Sequence, residues 1–157
     1  MQSLAIVVDA RFGEVVRMLD KFVWRFEKAP ATDRVLDQIE KQFAITLPTT
    51  YKNLVKLHNG GRPRPHVLLT DDDGAERVIK TFLTVHPTKG GIRDVYDWLK
   101  DQLPEKCIPF ASDPFGNYFC FHYGKATDKP VIIFWDHEQN QPEVMATTFE
   151  GFLEKFN

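Results

Sequence analysis

"LDQIEKQFAITLPTTYKNLVKLHNGG" (residues 36–61) holds two apolar stripes, a Leu-Pro break and a glycine pair, and runs straight into the alternating "RPRP" of residues 62–65. If the glycines grip a phosphate, the chain is a nucleotide-binding enzyme; if they stop a helix, it is something else. Val35, Leu36, Ile39 and Phe43 line one helical face above the charged Asp37, Glu40 and Lys41, and Thr32 suits the N-cap. Pro48 suits the first turn of a following helix, which carries Tyr51, Leu54, Val55 and His58 on one side. Phosphate loops place glycines before a helix, where free N–H groups and the positive end of the dipole meet the anion. Asn59-Gly60-Gly61 comes after one, at the carbonyl-rich end, so the expectation is a left-handed helix stop. Arg62 and Arg64, spaced by prolines, are then exposed charges available to acids of this chain or of a partner.

Outward from this stretch, the apolar run "LAIVV" (4–8) fits either a strand or a helix start. Phe12, Val15, Val16, Leu19, Phe22, Val23 and Phe26 repeat at three and four, which predicts one helix closed by Pro30. Downstream, "HVLLT" and "ERVIKTFLTV" flank "DDDG", with Asp73-Gly74 as a hairpin turn. Ile92, Val95, Tyr96, Leu99 and Leu103 form another helical stripe before Pro104. Residues 117–123, 130–136 and 143–147 read as strands separated by short turns. A last helix follows, with Thr147 and Glu150 at capping-box spacing and Phe149, Phe152, Leu153 and Phe156 stacked at three and four. This order predicts an α+β fold, with helices covering a largely antiparallel sheet in one domain over residues 1–157. Leu47, Tyr51, Phe110, Phe149, Phe152 and Leu153 are expected in a shared core.

Composition agrees with a folded chain: 43% hydrophobic, 27% charged, and thirteen phenylalanines that a disordered chain could not hide. The N-terminus lacks a basic region followed by a small-residue cleavage site, and no apolar run approaches the ~18 residues that span a bilayer, so the cytoplasm is the expected compartment. Cys107 and Cys120 are too few for a disulfide framework and read as reduced core thiols. Residues 101–157 hold four Lys or Arg against nine Asp or Glu, a balance of −5, while residues 1–100 hold sixteen against thirteen, a balance of +3. A direct nucleic-acid ligand is not expected, since it needs a concentrated basic face; a basic protein partner suits the acidic third.

The motifs that invite chemistry have weak context. If Gly74 were the sixth residue of a calcium loop, Leu69 and Lys80 would stand at its first and last ligand positions, and neither offers a carboxylate. Cys120 and His122 share a strand face, as a nucleophile and base would, but lie in a mostly aromatic strand with no third orienting group. A Cys-His hydrolase is nonetheless kept as a competing class. Asp136-His137-Glu138 lacks the i, i+4 pair of a zinc protease and reads as a strand-end turn.

Four stretches in order carry a resemblance. Residues 36–61 supply the acidic Glu40, Leu47-Pro48, Tyr51 and the Asn59-Gly60-Gly61 stop. "IPFASDPFGNYFCFHY" (108–123), "VIIFWDHE" (131–138) and "TTFEGFLEKF" (147–156) add Phe110, Asp113, Gly116, Asn117, Trp135, Asp136, His137, Phe149, Phe152 and Leu153. Together they resemble the SUKH superfamily, whose members include fungal cell-wall glucan-synthesis regulators of the Smi and Knr type. The resemblance covers residues 32–157; the first 31 residues are an extension of unassigned role.

The resemblance implies an α+β fold with a mixed sheet and no enzymatic activity; no cofactor or metal is expected. Bacterial members are typically immunity proteins encoded beside a secreted polymorphic toxin, often a nuclease, which they neutralise by binding. The rival reading is a cytosolic scaffold or regulatory module, as in the fungal members. In the immunity reading the partner is a toxin domain, with Arg62, Arg64, Asp128, Trp135, Glu138 and Glu143 as candidate contacts. The protein is then expected to be a monomer or weak dimer, with no membrane role.

Overall fold

Thr32 stands in an extended conformation and its hydroxyl accepts the Val35 N–H at 3.2 Å, a cap that opens a helix at the next residue. The computed structural model describes residues 10–70 and 74–157. The helices are α1 (Ala10–Leu19), α2 (Asp33–Phe43), α3 (Thr49–His58), α4 (Ile92–Leu99) and α5 (Phe149–Glu154). Between them run β1 (Val23–Arg25), β2 (Arg62–Arg64), β3 (Val67–Leu69), β4 (Glu76–Val78), β5 (Thr81–Phe82), β6 (Cys107–Ser112), β7 (Tyr118–His122), β8 (Val131–Asp136) and β9 (Gln141–Ala146). The run 4–8 and the acids Asp71–Asp73 lie outside the described residues.

The α2–α3 corner is built around one carboxylate. Glu40 Oε2 accepts the Leu47 N–H at 2.7 Å and an Nζ–H of Lys52 at 3.1 Å, fixing the approach to α3. Pro48 is the N-cap of α3 and so lies one step before the first turn, where the sequence placed it. At the far end Asn59 is extended and the left-handed residue is Gly60, at φ 67°.

Two expectations for the N-terminal half need correction. The helix predicted to reach Pro30 ends at Leu19, because Val23–Arg25 instead pairs with Arg62–Arg64. Val23 is 60% exposed and Phe26 70%, so the three-four spacing there marks no buried face. The exposed charges expected in "RPRP" after the helix stop stand on a strand, since its first three residues are β2, with Pro63 opposite Trp24. The Trp24 ring then stacks on His58 at 4.9 Å and packs on Phe82 at 5.5 Å, an anchor that outweighs the helical period.

β3 and β4 form a hairpin, with Gly74 at φ 70°. The predicted strand at 76–85 breaks after Val78, and Thr81–Phe82 joins a different sheet. That sheet is a five-stranded meander, β5-β6-β7-β8-β9, and every strand pairing among the described residues is antiparallel. β6 is a strand that the sequence reading leaves unassigned; it runs through Pro109, and the register shift between Pro109 and Ala111 accommodates that residue. The fold is α+β.

Both faces of the sheet are covered, so its central strands are apolar on both sides. Ile108, Phe110, Phe119, Phe121, Ile132 and Phe134 face residues of α1, α2, α3 and α5 in the main core. Cys107, Cys120, Ile133 and Trp135 face the other way, against Leu103, Tyr96 and Leu99. Within the main core the Phe110 ring lies 6.0 Å from Tyr51, 4.4 Å from Phe121, 5.7 Å from Phe149 and 5.5 Å from Phe152. α5 is capped by Thr148, whose hydroxyl accepts the Gly151 N–H at 3.0 Å; Thr147, the cap expected from the sequence, stands one residue too early. Among the described residues no helix is long and apolar enough to cross a membrane.

Candidate partner-binding surface

A cysteine nucleophile needs a stabilised thiolate, and Cys120 has the reverse. It is fully buried, and burial, helped by the neighbouring Cys107, pushes its thiol well above the ordinary range. His122 shares its strand row, but its partner across the ladder is Cys107. The other acid and imidazole candidates are occupied in turns. Asp136 Oδ1 accepts the backbone N–H groups of Glu138 at 2.9 Å and Gln139 at 3.3 Å, closing the β8–β9 turn. Among the described residues no group of three or more His, Cys, Asp and Glu side chains is placed to hold a metal.

His137 belongs to a network joining two hairpin ends. Asp113 Oδ1 accepts the Phe115 and Asn117 N–H groups, both at 2.8 Å, and its Oδ2 accepts from Asn117 Nδ2 at 3.0 Å. Asn117 Oδ1 in turn accepts from the His137 backbone N–H at 3.0 Å and its Nδ1–H at 2.6 Å. Gly116, at φ 88°, sits where a Cβ would lie 3.4 Å from the imidazole. The β6–β7 turn is thereby locked to the β8–β9 turn.

The Asn59-Gly60-Gly61 stretch has a second role that its position after a helix does not disclose. The Asn59 carboxamide donates to the Ala29 carbonyl and Thr84 Oγ1, both at 2.8 Å, and accepts the Val85 N–H at 3.1 Å. A Cβ on Gly60 would meet Lys28 Cγ at 2.6 Å, and one on Gly61 would meet Trp24 at 3.0 Å. Three segments therefore close on this corner.

The candidate contacts do not form one patch. Trp135 is 2% exposed and packs in the smaller core, which removes it as a contact: the sheet is covered on both faces, so neither row of β8 is free. Glu143, expected as a partner contact, pairs with Arg77 at 2.8 Å, and that guanidinium lies 4.9 Å over the Phe134 ring. Asp128 is exposed in the β7–β8 connection beside a cavity of about 570 Å³ that Val15, Met18, Pro48 and Phe149 help to line. Glu138 is exposed in the β8–β9 turn, at the other end of β8. Arg62 and Arg64 are exposed on β2, and across the ribbon Arg25 and Val23 share their face. Sequence reasoning missed Arg25 and Phe26, because both fell within the helix predicted to reach Pro30.

The family model described as SMI1-KNR4 cell-wall (SUKH_6) matches residues 33–153. The chain is also similar to the SPbeta prophage-derived uncharacterized protein YokK of Bacillus subtilis (strain 168), at 23% identity over 168 residues, covering 90% of this chain and 84% of that protein. Members of this family generally bind proteins without catalysis. The matched span takes in the Glu40 corner, the Asn59 clamp, the Asp113–Asn117–His137 network and the core residues of α5. The chain therefore belongs to the SMI1-KNR4 cell-wall family, within the SUKH superfamily.

Proposed function

We propose that this chain is a cytoplasmic immunity protein, which neutralises a toxin domain encoded beside it by stoichiometric binding, as one domain and without a catalytic step. The observation that carries the reading is the family match over residues 33–153; bacterial members of the superfamily typically act in this way. The geometry adds support, since a buried high-pKa thiol and turn-bound acid and imidazole groups suit scaffolding better than turnover. A prophage-derived relative fits a gene carried with a toxin. The second reading is a regulatory scaffold of the Smi and Knr type, favoured by the fungal branch of the same superfamily.

Co-expression tests this directly. The neighbouring reading frame, expressed alone, should arrest growth, and this chain expressed with it should restore growth and co-purify in a fixed ratio. An innocuous neighbour, or arrest unrelieved by this chain, would overturn the immunity reading.

A further inference from the structure

Phe26 holds a ring that is 70% exposed on a backbone at φ 57°. Both features cost stability, because the left-handed region disfavours bulky side chains and the ring stays in water. Among the described residues its ring partner is the Arg62 guanidinium, 5.1 Å from the centroid. Residues that stay strained and exposed cluster at functional surfaces.

The surrounding ribbon has a matching character. Val23 stands opposite Arg64 and Arg25 opposite Arg62, so alternation puts all four on one face, with Trp24 and Pro63 on the other. Those four are exposed, whereas Pro63 is buried and Trp24 partly so. No carboxylate among the described residues pairs with Arg25, Arg62 or Arg64. Glu27, close in sequence, is held by His58 at 2.7 Å, and Arg64 Nη1 donates to the Pro63 carbonyl at 3.0 Å. Beneath, Trp24 is fixed between His58 and Phe82, so the ribbon is anchored before any partner arrives.

We infer that this outer face, formed by Val23, Arg25, Phe26, Arg62 and Arg64, docks an acidic protein segment. Resting on the immunity reading, the toxin domain presents that segment: carboxylates for the guanidinium forks beside an apolar side chain for Phe26 and Val23. Guanidinium groups take carboxylates through paired hydrogen bonds, and Arg with aromatic residues supplies most binding hot spots. Phosphates would also be attracted, but three arginines on a chain of net charge −2 fall short of the basic face that nucleic acid uses.

The test titrates the full isotope-labelled chain by NMR with a short synthetic peptide of alternating Glu and Tyr. A single-stranded oligonucleotide of equal charge and a Lys-Tyr peptide serve as controls. The acidic peptide should perturb the β1–β2 ribbon and Phe26, and the R25Q/R62Q/R64Q variant should bind it roughly tenfold more weakly or worse. Phe26→Asn removes the ring and suits the left-handed backbone, so it should bind more weakly yet melt no lower than the parent. Perturbations elsewhere or nowhere, an equal response to the oligonucleotide, or undiminished affinity in the triple variant would overturn the inference. Co-expression separates the two readings. Equal protection by the triple variant and the parent sinks the ribbon and leaves immunity standing. Failure of the parent to protect sinks immunity, and the peptide titration still judges the ribbon.

Discussion

The Asn59 carboxamide oxygen accepts the Val85 N–H at 3.1 Å, which ties the end of α3 to the segment leading into α4. Because Asn59 is 1% exposed, water cannot replace it. Asn59→Ala should therefore strand the Val85 donor and release the Ala29 carbonyl and Thr84, at a cost of about 2–4 kcal/mol in urea unfolding. A loss below about 0.5 kcal/mol would mean that the corner relaxes around the gap.

Gly60→Ala combines a positive φ with a Cβ pressed on Lys28. Stability should fall by about 1 kcal/mol or more, and Lys28→Ala in the same chain should recover the steric part but not the backbone part. An unchanged melting temperature with lost partner binding would show that the glycine serves the interface instead.

Tyr51 and Phe152 lie in the same aromatic cluster but should respond differently. The Tyr51 hydroxyl is buried with no hydrogen-bond partner among the described residues, and burial pushes it well above its ordinary range. Tyr51→Phe removes an unsatisfied group without changing shape, so unfolding should show equal or greater stability. Phe152→Ala opens a cavity beside Phe110, Phe119 and Phe149 and should cost about 3–5 kcal/mol.

Charge reversal should separate the three acids. Glu143→Lys places an ammonium against Arg77 at a site only partly open to water, so it should lower stability by about 1 kcal/mol. Asp128→Lys and Glu138→Lys, at exposed positions, should stay within about 0.5 kcal/mol of the parent. If their association rate with the toxin domain nevertheless falls and its salt dependence flattens, these ends steer the encounter. An indifferent rate shifts that role to the ribbon.

Thiol alkylation of the native chain should leave Cys120 unlabelled at neutral pH, because the thiolate is disfavoured and the sulfur is enclosed. Labelling should appear with the unfolding transition in urea. Rapid labelling of the folded chain would reopen a Cys-His hydrolase.

The sequence by itself determined the parts that local chemistry controls. Thr32 as a cap, the stop after His58 and the two rows of β7 follow from side-chain type and spacing, since capping and alternation act within a few residues. The aromatic face of α5 was legible for the same reason, although its cap lay one residue off. Tertiary structure decided what depends on partners distant in the chain. Residues Val23–Arg25 fit a helical period, and only β2 made them a strand; Cys107–Ser112 carried no strand expectation, and pairing to β7 makes it one. Trp135 and Glu143 looked free because a sequence does not show which strand faces are covered or which cation stands opposite. The ribbon's arginines gather on one face only through the Val23–Arg64 and Arg25–Arg62 register, which no local spacing encodes.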